Sequence, residues 1–118
     1  MKDMEGCACS GRSLSRLVRP ALLALLSRGE GHGYALVQRL GEVDIFSDSP
    51  PNTSGVYKVL KSMQQEGLVT AAWDTSDDGP AKRRYTITAK GKACLERWAK
   101  TLGDYRRQVE GLLSLIDG

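Results

Sequence analysis

From Ala89 to Ile116 the chain carries an apolar seam that it has no means of burying alone. Leu95, Trp98, Leu102, Tyr105, Val109, Leu112 and Ile116 recur at alternating spacings of three and four, the heptad signature of a helix with one apolar edge. As a single helix this segment is about 42 Å long at about 1.5 Å per residue, longer than a domain this small can cover. Left open, the stripe would present a large apolar surface to water, so a second copy of the chain is its natural cover. A homodimer is therefore expected, with these seven residues at its interface. Leu22, Leu23, Leu25 and Leu26 put apolar side chains on more than one side of a helix placed at Pro20–Arg28. Leu22 and Leu25 are accordingly expected to face the partner. Gly103 and Gly111 are weak points that would allow the long helix to bend.

The rest of the chain divides into short, well-punctuated elements. After the first helix, the glycine-rich break from Gly29 to Gly33 precedes a second helix over Tyr34–Val43, whose stripe is Leu36, Val37, Leu40 and Val43. Asp48-Ser49-Pro50-Pro51 interrupts the pattern. Asn52 or Thr53 then caps a third helix that reaches Glu66 and stops at Gly67, with Val56, Leu60 and Met63 inward. Leu68–Trp73 and Lys82–Thr88 read as strands joined by a turn at Asp77-Asp78-Gly79-Pro80, with Tyr85 and Ile87 on one face. Three helices, a hairpin and a last helix in 118 residues make the order of a winged helix-turn-helix. The expected class is mainly α with a small β-hairpin. Its divisions are a flexible tail over residues 1–13, a winged-helix domain over 14–88 and a C-terminal dimerisation helix over 89–118.

Composition fits a globular domain, at 41% hydrophobic and 26% charged residues. The longest apolar run, Ala21–Leu26, is far too short to span a bilayer, and no secretory signal pattern follows Met1. No membrane association is expected. Three cysteines form an odd set without a disulfide framework, which points to a reducing, cytoplasmic setting. The net charge of +3 is mild, but its distribution is uneven. Between Asn52 and Trp73 Glu66 is the only acid, and between Gly79 and Leu95 there is none, while Lys82, Arg83, Arg84, Lys90 and Lys92 all fall there. Such locally basic segments suit a phosphate backbone.

In a helix-turn-helix reading the third helix enters the major groove. Ser54, Tyr57, Lys58 and Lys61 lie along one face of it, opposite Val56, Leu60 and Met63, and Asn52 and Thr53 stand at its entering end. Short polar groups there can reach base edges and the lysines can reach phosphates. On the hairpin, Lys82 and Arg84 are expected to point outward together, because Arg83 shares the parity of Tyr85. Arg83 is the third candidate. Asp77 and Asp78 at the tip would repel phosphates.

Four blocks carry a family resemblance. His32-Gly33-Tyr34-Ala35-Leu36, Thr53 to Leu60, Glu66-Gly67-Leu68-Val69 and Gly79 to Gly91 occur with the order and spacing seen in the PadR family of bacterial transcriptional regulators, over about residues 14–116. The sequence is similar to short-tailed members, with a single C-terminal helix. The resemblance implies a DNA-binding winged helix, dimerisation through the last helix, and repression relieved by a small-molecule effector. Two recognition helices about a two-fold axis would require an inverted-repeat operator in double-stranded DNA.

Other chemistries find little support. His32 is the only histidine and stands at a helix start, where capping or packing is the ordinary role. The segment from Gly29 to Gly33 lacks the spacing of a nucleotide loop and follows a helix. No catalytic constellation or cofactor motif is present, and the chain does not read as an enzyme. Cys7 and Cys9, with Cys94 or a partner's thiols, offer an alternative in which the regulator senses thiol oxidation or a metal. A second alternative is a winged-helix protein-interaction module without DNA. Trp98 and Tyr105 could line an apolar effector pocket between subunits or simply pack the core.

Overall fold

A computed structural model describes residues 16–74 and 82–118. The elements are α1 (Val18–Ser27), β1 (Gly31–His32), α2 (Gly33–Gly41), a 3-10 turn (Asp44–Phe46), α3 (Thr53–Gln65), β2 (Val69–Asp74), β3 (Lys82–Ile87) and α4 (Ala89–Asp117). They form a three-helix cluster backed by a small antiparallel sheet of order β1-β3-β2, from which α4 runs on. The expected winged-helix order is the one the chain adopts. The expected tail, Cys7, Cys9 and the turn at Asp77-Asp78-Gly79-Pro80 lie outside the described residues.

The core is built from the periodic positions. Leu22, Leu23 and Leu26 of α1 meet Leu36 and Leu40 of α2 and Val56, Leu60 and Met63 of α3, all buried. Each such side chain contributes about 1.5–3 kcal/mol on leaving water. Tyr85 from β3 and Val69 from β2 close the sheet side. Phe46, on the 3-10 turn, also enters the core, a position with no periodic neighbours to announce it.

Helix α3 starts where Asn52 caps it. Asn52 has an extended backbone, and its Oδ1 accepts from the Gly55 N–H at 2.6 Å and from the Ser54 hydroxyl at 3.2 Å. At the other end Gly67 takes φ +78°, a left-handed turn that carries the chain into β2. The start of α4 is locked against that turn. Thr88 Oγ1 donates towards the Gly67 and Leu68 carbonyls at 2.7 and 3.0 Å, and accepts from the Gly91 N–H at 3.0 Å. A Cβ at residue 91 would run into the Leu68 carbonyl oxygen, so only glycine permits this approach.

Three expectations are corrected. First, α1 begins at Val18, not Pro20; the proline is accommodated within the first turn, where its missing N–H costs no hydrogen bond. Second, the break before α2 contains a strand: Gly31 pairs with Tyr85 and His32 with Arg84. Third, Leu22 has 0% exposure within its own chain and so offers nothing to a partner; it is a core residue. Leu25 is half-buried and packs against the same core. Helix α4 is continuous through Gly103 and Gly111.

Candidate nucleic-acid interface

The outward face of α3 is polar throughout. Asn52, Thr53, Ser54, Lys58 and Lys61 are exposed and Tyr57 is 38% exposed, while Val56, Leu60 and Met63 on the opposite side are sealed in the core. The geometry gives two of these residues a second role. Asn52 uses its carbonyl oxygen on the helix cap. The Tyr57 ring lies so close over Gly33 that a Cβ there would overlap Tyr57 Cε1. Tyr57 thus braces α3 against the first residue of α2, the joint of the helix-turn-helix.

The hairpin approaches the same face through Arg83. Trp73 and Arg83 are cross-strand partners in the β2–β3 register. The Arg83 guanidinium carbon stands 5.7 Å from the Trp73 ring centre and 5.9 Å from that of Tyr85. Its Nη2 donates to Gln64 Oε1 at 3.2 Å, joining β3 to α3. Burial pushes the Tyr85 hydroxyl up from its ordinary pKa, with the Arg83 charge working against that.

Arg84 has a different environment from the one expected. It is half-buried, and its Nη1 lies 3.4 Å from Glu30 Oε1 and 3.9 Å from Asp74 Oδ2. Its side chain remains 39% exposed but is paired with these two carboxylates, whereas Lys82 is exposed. Arg83, on the parity of Tyr85, is the more exposed of the two arginines. His32 sits at the N-cap position of α2 without a side-chain cap bond, and its Nε2 lies 3.1 Å from Asp74 Oδ2. His32, Arg84, Asp74 and Glu30 therefore form one network tying β1 to the hairpin.

Between α2, α3 and the hairpin lies a groove of about 450 Å³, lined by His32, Gly33, Tyr34, Ala35, Gln38, Tyr57, Trp73, Lys82 and Arg83. Tyr34 and Trp73 are each 64% exposed. Neither stood out in the sequence, although Trp73 shares its facing with Arg83 through the hairpin register. A second groove, of about 400 Å³ and almost wholly apolar, runs between α1 and α4 past Pro20, Ala21, Leu95, Trp98 and Leu102. Leu95 and Trp98 are half-buried against their own core, whereas Tyr105, Leu112 and Ile116 further along are 58%, 57% and 70% exposed. Leu102 and Val109 are both 36% exposed. Cys94 is half-buried, and no group of three or more metal-ligating side chains occurs among the described residues. Nor is any described helix long and apolar enough to cross a membrane.

Comparison with known proteins places this geometry. A PadR-like transcriptional regulator from Bacillus cereus has a crystal structure that superposes with a TM-score of 0.73 at 28% identity, covering 85% of this chain and 94% of that one. Bacillus subtilis PadR in complex with operator DNA matches with a TM-score of 0.62 at 28% identity, over 70% of this chain and 46% of that chain. The negative transcriptional regulator PadR of Bacillus subtilis is 30% identical over 83 residues, which are 70% of this chain and 45% of the relative. The chain thus spans less than half the length of that curated relative. The sequence model of the Transcriptional regulator PadR-like family matches residues 22–97, and the chain belongs to that family of transcriptional regulators.

Proposed function

We propose that the protein is a sequence-specific transcriptional repressor that binds an inverted-repeat operator as a homodimer, in the cytoplasm, and is released by a small-molecule effector. The observation that carries this reading is the division of α3 into a buried stripe and a polar face bearing Lys58 and Lys61, with Arg83 and Lys82 beside it. Such a face can enter a major groove, the short side chains meeting base edges and the cations meeting phosphates. The relative solved with operator DNA supports the same use of the fold. Dimerisation through α4 follows from the exposed heptad residues beyond Trp98, and the apolar groove beside Trp98 is where we place the effector.

Selection of bound sequences from random duplexes, followed by titration at several salt concentrations, tests the reading. A palindromic consensus and a steep loss of affinity with salt are expected. Duplex binding without sequence preference would remove specificity, and no duplex binding at low salt would remove the whole reading.

A further inference from the structure

The groove between α2, α3 and the hairpin has a composition that base reading does not need. Its lining brings the rings of Tyr34, Tyr57 and Trp73 together with the cations Lys82 and Arg83. Tyr34 and Trp73 spend most of their surface in water, although aromatic rings of this size usually stabilise a protein by leaving it. They lie beside the polar face of α3, which suggests that they are covered when that face is occupied. Arg83 is held in place from two directions, by the Trp73 and Tyr85 rings and by Gln64 Oε1. A guanidinium restrained in this way loses little conformational entropy on meeting an anion. Gly33 forms part of the lining, and Tyr57 lies over it with no Cβ in the way.

A ligand that matches must offer an anion beside an apolar surface, repeated along a strand. A deoxyribose flanked by its phosphate does so; a base edge, flat and polar, does not. Resting on the DNA-binding reading above, we propose that this groove grips one sugar–phosphate unit of a duplex strand, with Trp73 against the sugar and Arg83, assisted by Lys82, on the phosphate. Trp73 is thereby a contact residue that contributes affinity without reading sequence, and the grip fixes how far α3 enters the groove.

The test uses the full chain, an operator duplex and a scrambled duplex of the same length. Trp73→Ala is expected to weaken both by about tenfold, because a contact to the sugar carries no sequence information. Trp73→Phe should retain most of the affinity. The salt slope should be unchanged by Trp73→Ala and shallower by about one unit for Arg83→Ala. A change in tryptophan emission on adding either duplex should be present in the wild type and lost in Trp73→Phe, a readout independent of whether Trp73→Ala folds well. Wild-type affinity in Trp73→Ala, or a loss confined to the operator, overturns the proposal while leaving DNA binding intact. Failure of the wild type to bind either duplex at low salt overturns both.

Discussion

Arg19 holds Glu66: its Nη2 donates to Glu66 Oε2 at 2.7 Å and to Ser62 Oγ at 3.0 Å. One residue of α1 thus grips the last turn of α3. From the other side, Lys90 Nζ donates to the Glu66 carbonyl at 2.8 Å, bringing α4 to the same point. The helix proposed to read DNA is fastened to the two helices that flank the apolar groove. The pair is partly exposed, so its value lies more in fixing an angle than in stability.

That contact has a pH signature. The Arg19 guanidinium first, and the Ser62 hydroxyl second, hold the Glu66 carboxyl below its ordinary value. A depressed folded pKa means that the contribution is fully present above the unfolded value, about 4.3, and is lost as pH falls through the folded value. The difference in urea midpoint between wild type and Glu66→Gln should therefore shrink as pH is lowered from neutrality through that window. A difference independent of pH would show that ionisation of Glu66 is not what stabilises the contact.

Tyr57 and Gly33 should behave as one unit. Gly33→Ala introduces a Cβ into the Tyr57 ring, and overpacking of this kind costs about 1–3 kcal/mol. Combining it with Tyr57→Ala should be far from additive, with a coupling of about 0.5 kcal/mol or more in a double-mutant cycle of unfolding free energies. Strict additivity would mean that the ring has another resting place.

The N-cap should be separable from base reading. Asn52→Ala removes the acceptor of the Gly55 N–H and should cost about 1 kcal/mol of stability. Asn52→Asp keeps an acceptor there and should restore most of it. If Asn52→Asp is stable yet loses affinity for the operator and not for a scrambled duplex, the amide nitrogen has a role on DNA that the cap does not explain.

In the proposed dimer, assembly would rest on the distal half of α4. Leu102→Glu with Val109→Glu should convert a dimer into monomers in sedimentation and abolish operator binding, since single half-sites bind weakly. A wild-type chain that sediments as a monomer at micromolar concentration contradicts the dimer outright. Beyond its own helix backbone and chain neighbours, a Cβ at Gly111 meets nothing within 4 Å, so Gly111→Ala should stabilise the helix by about 0.5–1 kcal/mol. A loss instead would place a partner helix against that position.

Much of this was legible from local pattern. The stripes on α2 and α3, the cap at Asn52 and the stop at Gly67 all follow from three- and four-residue spacing and from the chemistry of helix ends. What escaped was set by tertiary geometry. Strand β1 is two residues long and exists because β3 lies beside it, so Gly31 and His32 carry no strand signal of their own. Leu22 and Leu25 were indistinguishable in a run of leucines; the sheet and helices around α1 decide that Leu22 is interior. Alternation alone favoured Arg84 over Arg83, but Glu30 and Asp74 come from elsewhere in the chain to claim Arg84.

The close approach of Gly91 to the Leu68 carbonyl makes the base of α4 a fulcrum. Beyond it, the run from Gly91 to Ile116 is a lever of about 38 Å at about 1.5 Å per residue. A tilt of about 5° at the fulcrum would carry the far end through about 3 Å, close to the reach of a hydrogen bond. If the proposed effector wedges between α1 and α4 near Trp98, it would act close to the fulcrum of that lever. In the proposed dimer, displacements too small to disturb the core would then be large at the far ends of the two helices, and the spacing between the paired reading heads would change with them.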